Sequence, residues 1–189
     1  MRSDCFSVEL SLIRDEKLRY FIQEYLNKFV PDYFYVVPAS SSGKYHPQYA
    51  LGDGGLVRHT KACVVIAQHL LSLEQNAKLN KSHDEIISAL IIHDTFKQGL
   101  GRSHTKFEHP ILSARAIGLF AKEYYPDMVE KATYIATLVA SHMGQWNRRD
   151  SMVLPKPKTA EEQFVHMCDY LASRQDITVD VRYEPPKET

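Results

Sequence analysis

Residues 86–97 read IISALIIHDTFK, and this stretch constrains the chain more than any other. It opens as an apolar helical run and ends by setting His93 and Asp94 side by side, with Lys97 one turn on. A histidine and a carboxylate at the end of such a run cost free energy to bury unless something pairs them. A divalent cation does so well.

Apolar residues at three-to-four spacing place further helices around this one. Leu10, Ile13, Leu18, Phe21, Ile22, Tyr25, Leu26 and Phe29 predict one amphipathic helix over 9–30, stopped at Pro31. Gly54 and Gly55 open a second helix, Leu56 to Glu74, with His59 in its first turn. Ser82 and Glu85 form a capping-box signature for a third, running to about Phe96, so that His93 and Asp94 fall in its last turn. His109-Pro110 starts a fourth, to Tyr125, and Pro126 a fifth that ends near Met143-Gly144 with His142 in its last turn. Thr159 and Glu162 supply a second capping box for a sixth, Ala160 to Ser173, which carries Asp169. The tail from Ile177 offers one short strand. The sum is an all-α fold, a compact single-domain bundle of five to six or more helices, with its core over about 50–175, an N-terminal helix and loop over 1–55 and a tail over 176–189.

Between Pro31 and Gly55 lies a long irregular stretch rich in proline, glycine and tyrosine. Loops of this length in a domain are commonly functional. Its aromatics either lid the core or, with Lys44, Tyr45 and His46, face a substrate; the residues weigh evenly for the two.

The chain has 189 residues and equal numbers of acidic and basic side chains, 23 of each. That balance removes any global field that would draw it onto nucleic acid or an anionic membrane. Its 44% hydrophobic and 24% charged content does not fit wholesale disorder. Cys5, Cys63 and Cys168 lack paired spacing, and the latter two lie in apolar helical patterns, as buried thiols do. No apolar run reaches the ~20 residues needed to cross a bilayer, and the N-terminus has no leader pattern, so a cytoplasmic setting is expected. Nothing points to an obligate protein partner.

Nine histidines are present, and a lone histidine on a helix is ordinarily a surface or core residue. His69, His83 and His166 are read that way. His104 lies in the loop beside His109 and competes with it. The ordered set His59, His93-Asp94, His109, His142, Asp169 stands apart, because several members sit at helix ends and Asp169 interrupts an apolar face. Imidazole and carboxylate together suit Mn, Fe, Co, Ni or Zn better than an all-oxygen ion such as Mg, which remains compatible.

The segments GGLVRHT, ALIIHDTFK, FEHPILSA, ATLVASHMG and FVHMCDYLASR, in that order over residues 50–175, resemble the motifs of the HD-domain metal-dependent phosphohydrolases. They look closest to the HD domains attached to bacterial 3′–5′ exoribonucleases and to stand-alone phage and bacterial relatives. The resemblance implies that His59, His93, Asp94 and Asp169 hold one metal. It further implies that Asp94 bridges to a second ion held by His109 and His142, giving two ions per chain, with Mn or Fe favoured. Two cations ~3.5–4 Å apart would polarise phosphoryl oxygens and lower the pKa of a bound water toward ~7. Lys97 would meet a phosphate oxygen or the developing charge. Arg58, Arg102, Lys106, Arg148 and Arg149 are weaker phosphate candidates, and Trp146, the only tryptophan, would stack a base or cap the core.

The expected activity is hydrolysis of a phosphoester or phosphodiester in a small nucleotide or at a single-stranded nucleic-acid 3′ end. One alternative keeps the ligands and changes the chemistry, since a minority of HD proteins such as myo-inositol oxygenase and phosphonate-cleaving enzymes use a di-iron centre to activate oxygen. Another is a non-catalytic helical binding module.

Overall fold

The structure, a computed structural model, describes residues 1–40, 43, 46–101 and 104–185. Lys44, Tyr45 and Arg102 lie outside the described residues. Seven α-helices and one two-residue hairpin are present among the described residues: α1 (Ser7–Ser11), α2 (Glu16–Lys28), α3 (Gly55–Leu71), α4 (His83–Ile92), α5 (His109–Tyr124), α6 (Val129–Ala140), β1 (Arg148–Arg149), β2 (Met152–Val153) and α7 (Ala160–Ala172). The fold is mostly helical, as the periodicity predicts.

The centre is α4. Every residue from Ile86 to Ile92 is buried, and the helix packs against α3, α6 and α7, while α5 lies along α6. An element that is apolar on all sides has no solvent face to offer, so the other helices enclose it. The same hydrophobic cluster includes Phe120, whose ring meets those of Phe21 and Tyr25 at 5.5 Å each.

Three local expectations are corrected. The single helix over 9–30 is two helices, because Asp15 caps α2 through Oδ1, which accepts from the Lys17 and Leu18 N–H groups. Ser82 makes no capping bond: a 3₁₀ segment, Glu74–Ser82, runs straight into α4, and the Ser82 hydroxyl accepts instead from the Tyr134 hydroxyl. The capping box at Thr159 and Glu162 does form, with both reciprocal bonds at 3.1 Å. The tail forms no strand among its described residues. It packs onto the core through Val179, Val181 and Tyr183, and the only strands described are those of the hairpin over 148–153.

Asp15 also accepts from Lys131 Nζ at 2.6 Å, tying α2 to α6. That bond and the Leu18 N–H hold the Asp15 carboxyl below its usual range. Replacing it by alanine is expected to cost about 1 kcal/mol at pH 7, whereas Asp15→Asn retains most of the cap. A depressed folded pKa contributes stability above the unfolded value of about 3.9 and loses it as pH falls through the folded value. The gap between wild type and Asp15→Ala in urea titrations should therefore be widest above about pH 5 and narrow as pH falls through the folded value.

The described residues of the stretch over 31–55 pack onto the bundle. Tyr33 donates to the Gly99 carbonyl at 2.8 Å and accepts from the Gln98 N–H at 3.0 Å; Tyr35 donates to the Leu26 carbonyl at 2.7 Å. These aromatics lid the core and pin the turn that follows His93-Asp94. At the start of α3, a Cβ on Gly55 would lie 2.3 Å from the Ala50 carbonyl oxygen, so only glycine lets the loop pass this close.

Candidate metal centre

Helical hydrogen bonding in α4 stops at Ile92, earlier than the sequence suggests. The chain then tightens into three-residue turns, with Thr95 N–H on the Ile92 carbonyl and Lys97 N–H on that of Asp94. This places His93 and Asp94 just beyond the helix, where their side chains leave its apolar wall. His142 likewise lies beyond the end of α6, His109 is the first residue of α5, and His59 and Asp169 face each other from α3 and α7. Six side chains from five segments converge.

They converge in two groups that meet at Asp94. Asp94 Oδ1 faces His109 Nε2 at 3.0 Å and His142 Nε2 at 3.7 Å. Its Oδ2 faces His93 Nε2 at 3.5 Å and His59 Nε2 at 3.9 Å. Asp169 Oδ1 lies 3.0 Å from His59 Nε2 and 3.6 Å from His93 Nε2. Lys97 Nζ forms an ion pair with Asp94 Oδ2. His93, Asp94 and His142 are at most 1% exposed.

The outer nitrogens decide what the inner ones can do. Nδ1 of His93, His109 and His142 each donates at 2.7 Å to the backbone carbonyl three residues earlier, on Leu90, Lys106 and Val139. With Nδ1 protonated, the neutral ring presents an Nε2 lone pair inward, the arrangement of metal-ligating histidines. Yet His93 Nε2 and Asp94 Oδ1 are buried and make no hydrogen bond of acceptable geometry. Orphaned polar atoms of this kind are rare in folded proteins and suit the coordination of a cation. These buried histidine, aspartate and cysteine groups could hold metal ions, one set being His59, Cys63, His93 and Asp169 and the other Asp94, His109 and His142.

The charges show a cationic and an anionic set held together: burial lowers His93, but Asp94 and Asp169 raise it more, so an ion bound there would take the place of its Nε2 proton. Burial alone would raise the Asp94 carboxyl, but Lys97, His93 and His109 hold it well below the ordinary range. For Asp169 burial is likewise outweighed, by His59 and His93. Burial and nearby His93 push His142 down to about 3, leaving it neutral at pH 7. Lys97 is lowered by burial but raised more by Asp94 and Asp169, so it stays an ammonium.

The centre opens into a cleft of about 320 Å³ whose lining includes His46, Lys97, Trp146 and Tyr170. His46 stands 5.9 Å from the His59 ring and is pushed down to about 4, by burial first and then by His59 and Lys97. His104 is not here: it is exposed and lines a separate cleft with Lys106 and Arg149, so His109 is the one that reaches Asp94. Arg58 is not a phosphate contact either. Its three guanidinium nitrogens donate to the carbonyls of Tyr49, Leu51 and Tyr183, stapling loop and tail to α3. Arg148 and Arg149 lie exposed on the hairpin.

Two features near the centre escape the sequence reading. Cys63 lies one turn from His59, with Sγ 3.7 Å from His59 Nε2, and the His-x-x-x-Cys spacing on one helix face could have flagged it. Arg174 lines the cleft, four residues beyond Tyr170.

Gly144 secures the turn after His142. Its φ is +57°, and a Cβ there would come within 2.1 Å of the His166 ring, which donates from Nδ1 to the His142 carbonyl at 2.7 Å. Gly144→Ala is expected to lower stability by at least about 2 kcal/mol through backbone strain and overpacking. In chemical denaturation, adding His166→Ala should recover the packing share and leave the backbone share.

No family model matches the chain, and neither a curated protein nor a solved structure matches it. No helix among the described residues is long and apolar enough to cross a membrane.

Proposed function

We propose that this chain is a metal-dependent phosphohydrolase of the HD-domain type, with two divalent ions, Mn or Fe favoured, in the His/Asp centre. The observation that carries the reading is Asp94: one carboxylate gives an oxygen to each of two buried histidine groups, as a bridging ligand does. His59, His93 and Asp169 with Asp94 Oδ2 would hold one ion, and His109 and His142 with Asp94 Oδ1 the other. Bound there, the ions supply Lewis-acid polarisation of a phosphoryl oxygen and a water of lowered pKa. Lys97, an ammonium at the cleft floor beside Asp94, would hold a non-bridging phosphate oxygen and offset the charge that develops on it. His46, neutral on the cleft wall, adds no charge of its own beside that anion. The substrate class is a phosphoester or phosphodiester of a small nucleotide or a single-stranded 3′ end, consistent with a chain whose formal net charge is +0.

The test is hydrolysis of a chromogenic phosphodiester by metal-stripped protein before and after Mn²⁺ addition, with Asp94→Asn beside it. Restored activity that the variant lacks supports the reading. Absence of hydrolysis with every divalent ion, from protein that takes up two irons and then consumes dioxygen, would replace it with oxygenase chemistry.

A further inference from the structure

The cleft has a second half that the His/Asp centre does not use. Trp146 stacks on Tyr170 with ring centroids 5.3 Å apart and planes 17° from parallel. The Arg174 guanidinium lies 4.6 Å from the Tyr170 centroid and 6.0 Å from that of Trp146. His166 sits edge-on to Trp146 at 5.9 Å. All but His166 line the same cleft as His109, His142 and Asp169.

The three shelf residues are tied in sequence to the centre. Tyr170 follows Asp169 directly on α7, with Arg174 one turn on, and Trp146 is four residues past His142. The His166 bond to the His142 carbonyl fixes the turn between His142 and Trp146. Distance from centre to shelf is therefore set by short, rigid pieces of chain. A tryptophan serving only to cap the core would be covered, whereas Trp146 is 45% exposed. Arg174 Nε is buried without a hydrogen-bond partner, so the guanidinium has unspent donor capacity beside the rings.

We propose that Trp146, Tyr170 and Arg174 form a nucleobase subsite, so that the cleft takes a nucleoside phosphate with its base on the aromatic shelf and its phosphate toward the His/Asp centre. The chemistry rests on the phosphohydrolase reading; the binding does not. Stacking on aromatic rings and an arginine plane accepts any base. The base belongs either to a free mononucleotide or to the terminal residue of a single strand.

Trp146 is the only tryptophan, so its fluorescence reports from the shelf alone. With Mn²⁺ present, AMP and a four-nucleotide oligoadenylate should each be titrated against the full chain, with ribose 5-phosphate as the baseless control. AMP or the oligonucleotide should quench Trp146 saturably, about tenfold or more tighter than ribose 5-phosphate binds. The tighter of the two identifies the source of the base. Tyr170→Ala should weaken nucleotide binding about tenfold while Tyr170→Phe, which keeps the ring, restores it. Equal binding of AMP and ribose 5-phosphate, with chromogenic diester hydrolysis intact, overturns the subsite and leaves the hydrolase. Quenching by AMP in a protein that hydrolyses no diester keeps the subsite and removes the hydrolase.

Discussion

Asp94→Asn is expected to lower metal-dependent phosphodiester hydrolysis roughly a thousandfold or more, because the substitution removes the one charge common to both ligand groups. Asparagine matches the carboxylate in volume but puts an N–H₂ donor where one oxygen stood. Since the Nδ1 atoms of His93, His109 and His142 are already donating to backbone carbonyls, that donor meets an Nε2 lone pair and occupies it. On the proposed two-ion reading, metal content measured on the purified variant should fall below that of wild type. A second effect must be separated from the first. Lys97 loses its ion-pair partner in a buried setting, and stranding one half of such a pair costs about 3–5 kcal/mol. Asp169 nearby offsets part of that. In urea denaturation with chelator present, Asp94→Asn should be clearly less stable than wild type, and adding Lys97→Met should restore most of the loss without restoring hydrolysis. A double variant that recovered activity along with stability would show that Asp94 serves the fold and not the chemistry.

Lys61→Met is expected to destabilise the protein by about 3–5 kcal/mol. Lys61 Nζ donates to both oxygens of Glu9, at 3.0 and 2.9 Å, and the residues are only 9% and 6% exposed. Phe6 adds a ring 5.5 Å from the ammonium. The pair joins α1 to α3 just past His59, so it holds the N-terminal segment against the helix that supplies part of the centre. Truncating one partner leaves the other charge desolvated; replacing both with apolar residues leaves no charge to compensate. Glu9→Leu combined with Lys61→Met should therefore lie within about 1 kcal/mol of wild type or above it, and thermal melts of the two single variants and the double variant close the cycle. Singles that each cost less than about 1 kcal/mol would mean that water reaches the pair.

These two residues show where sequence reading stops. Asp94 stands out because its neighbours are apolar and its partner is adjacent: a histidine and an aspartate after IISALII pose a local question with few local answers. Glu9 and Lys61 pose none. Each occupies a helical pattern in which charged residues ordinarily face water, and 52 positions separate them. Arg58 misleads for the same reason. A cation one residue before His59 suggests phosphate, whereas its donors are consumed by three carbonyls from distant loops. His104 and His109 differ by five positions and one proline, and their order alone cannot say which points inward.

What the sequence determined by itself is what short-range periodicity and capping chemistry control: a mostly helical chain, α5 and α7 nearly to the residue, the apolar α4 at its middle, and a set of histidines and aspartates too regular to be scattered surface groups. Only the tertiary structure decided which of them meet. It split Asp94 between two groups and brought Cys63 beside His59. It put Arg174 with Trp146 and Tyr170, and turned Arg58 and His104 away. The reason is that helix formation depends on neighbours three and four residues off, whereas a site depends on the angles and offsets at which helices pack. Those are fixed by contacts far apart in the chain, such as Tyr33 on Gly99 and Glu9 on Lys61.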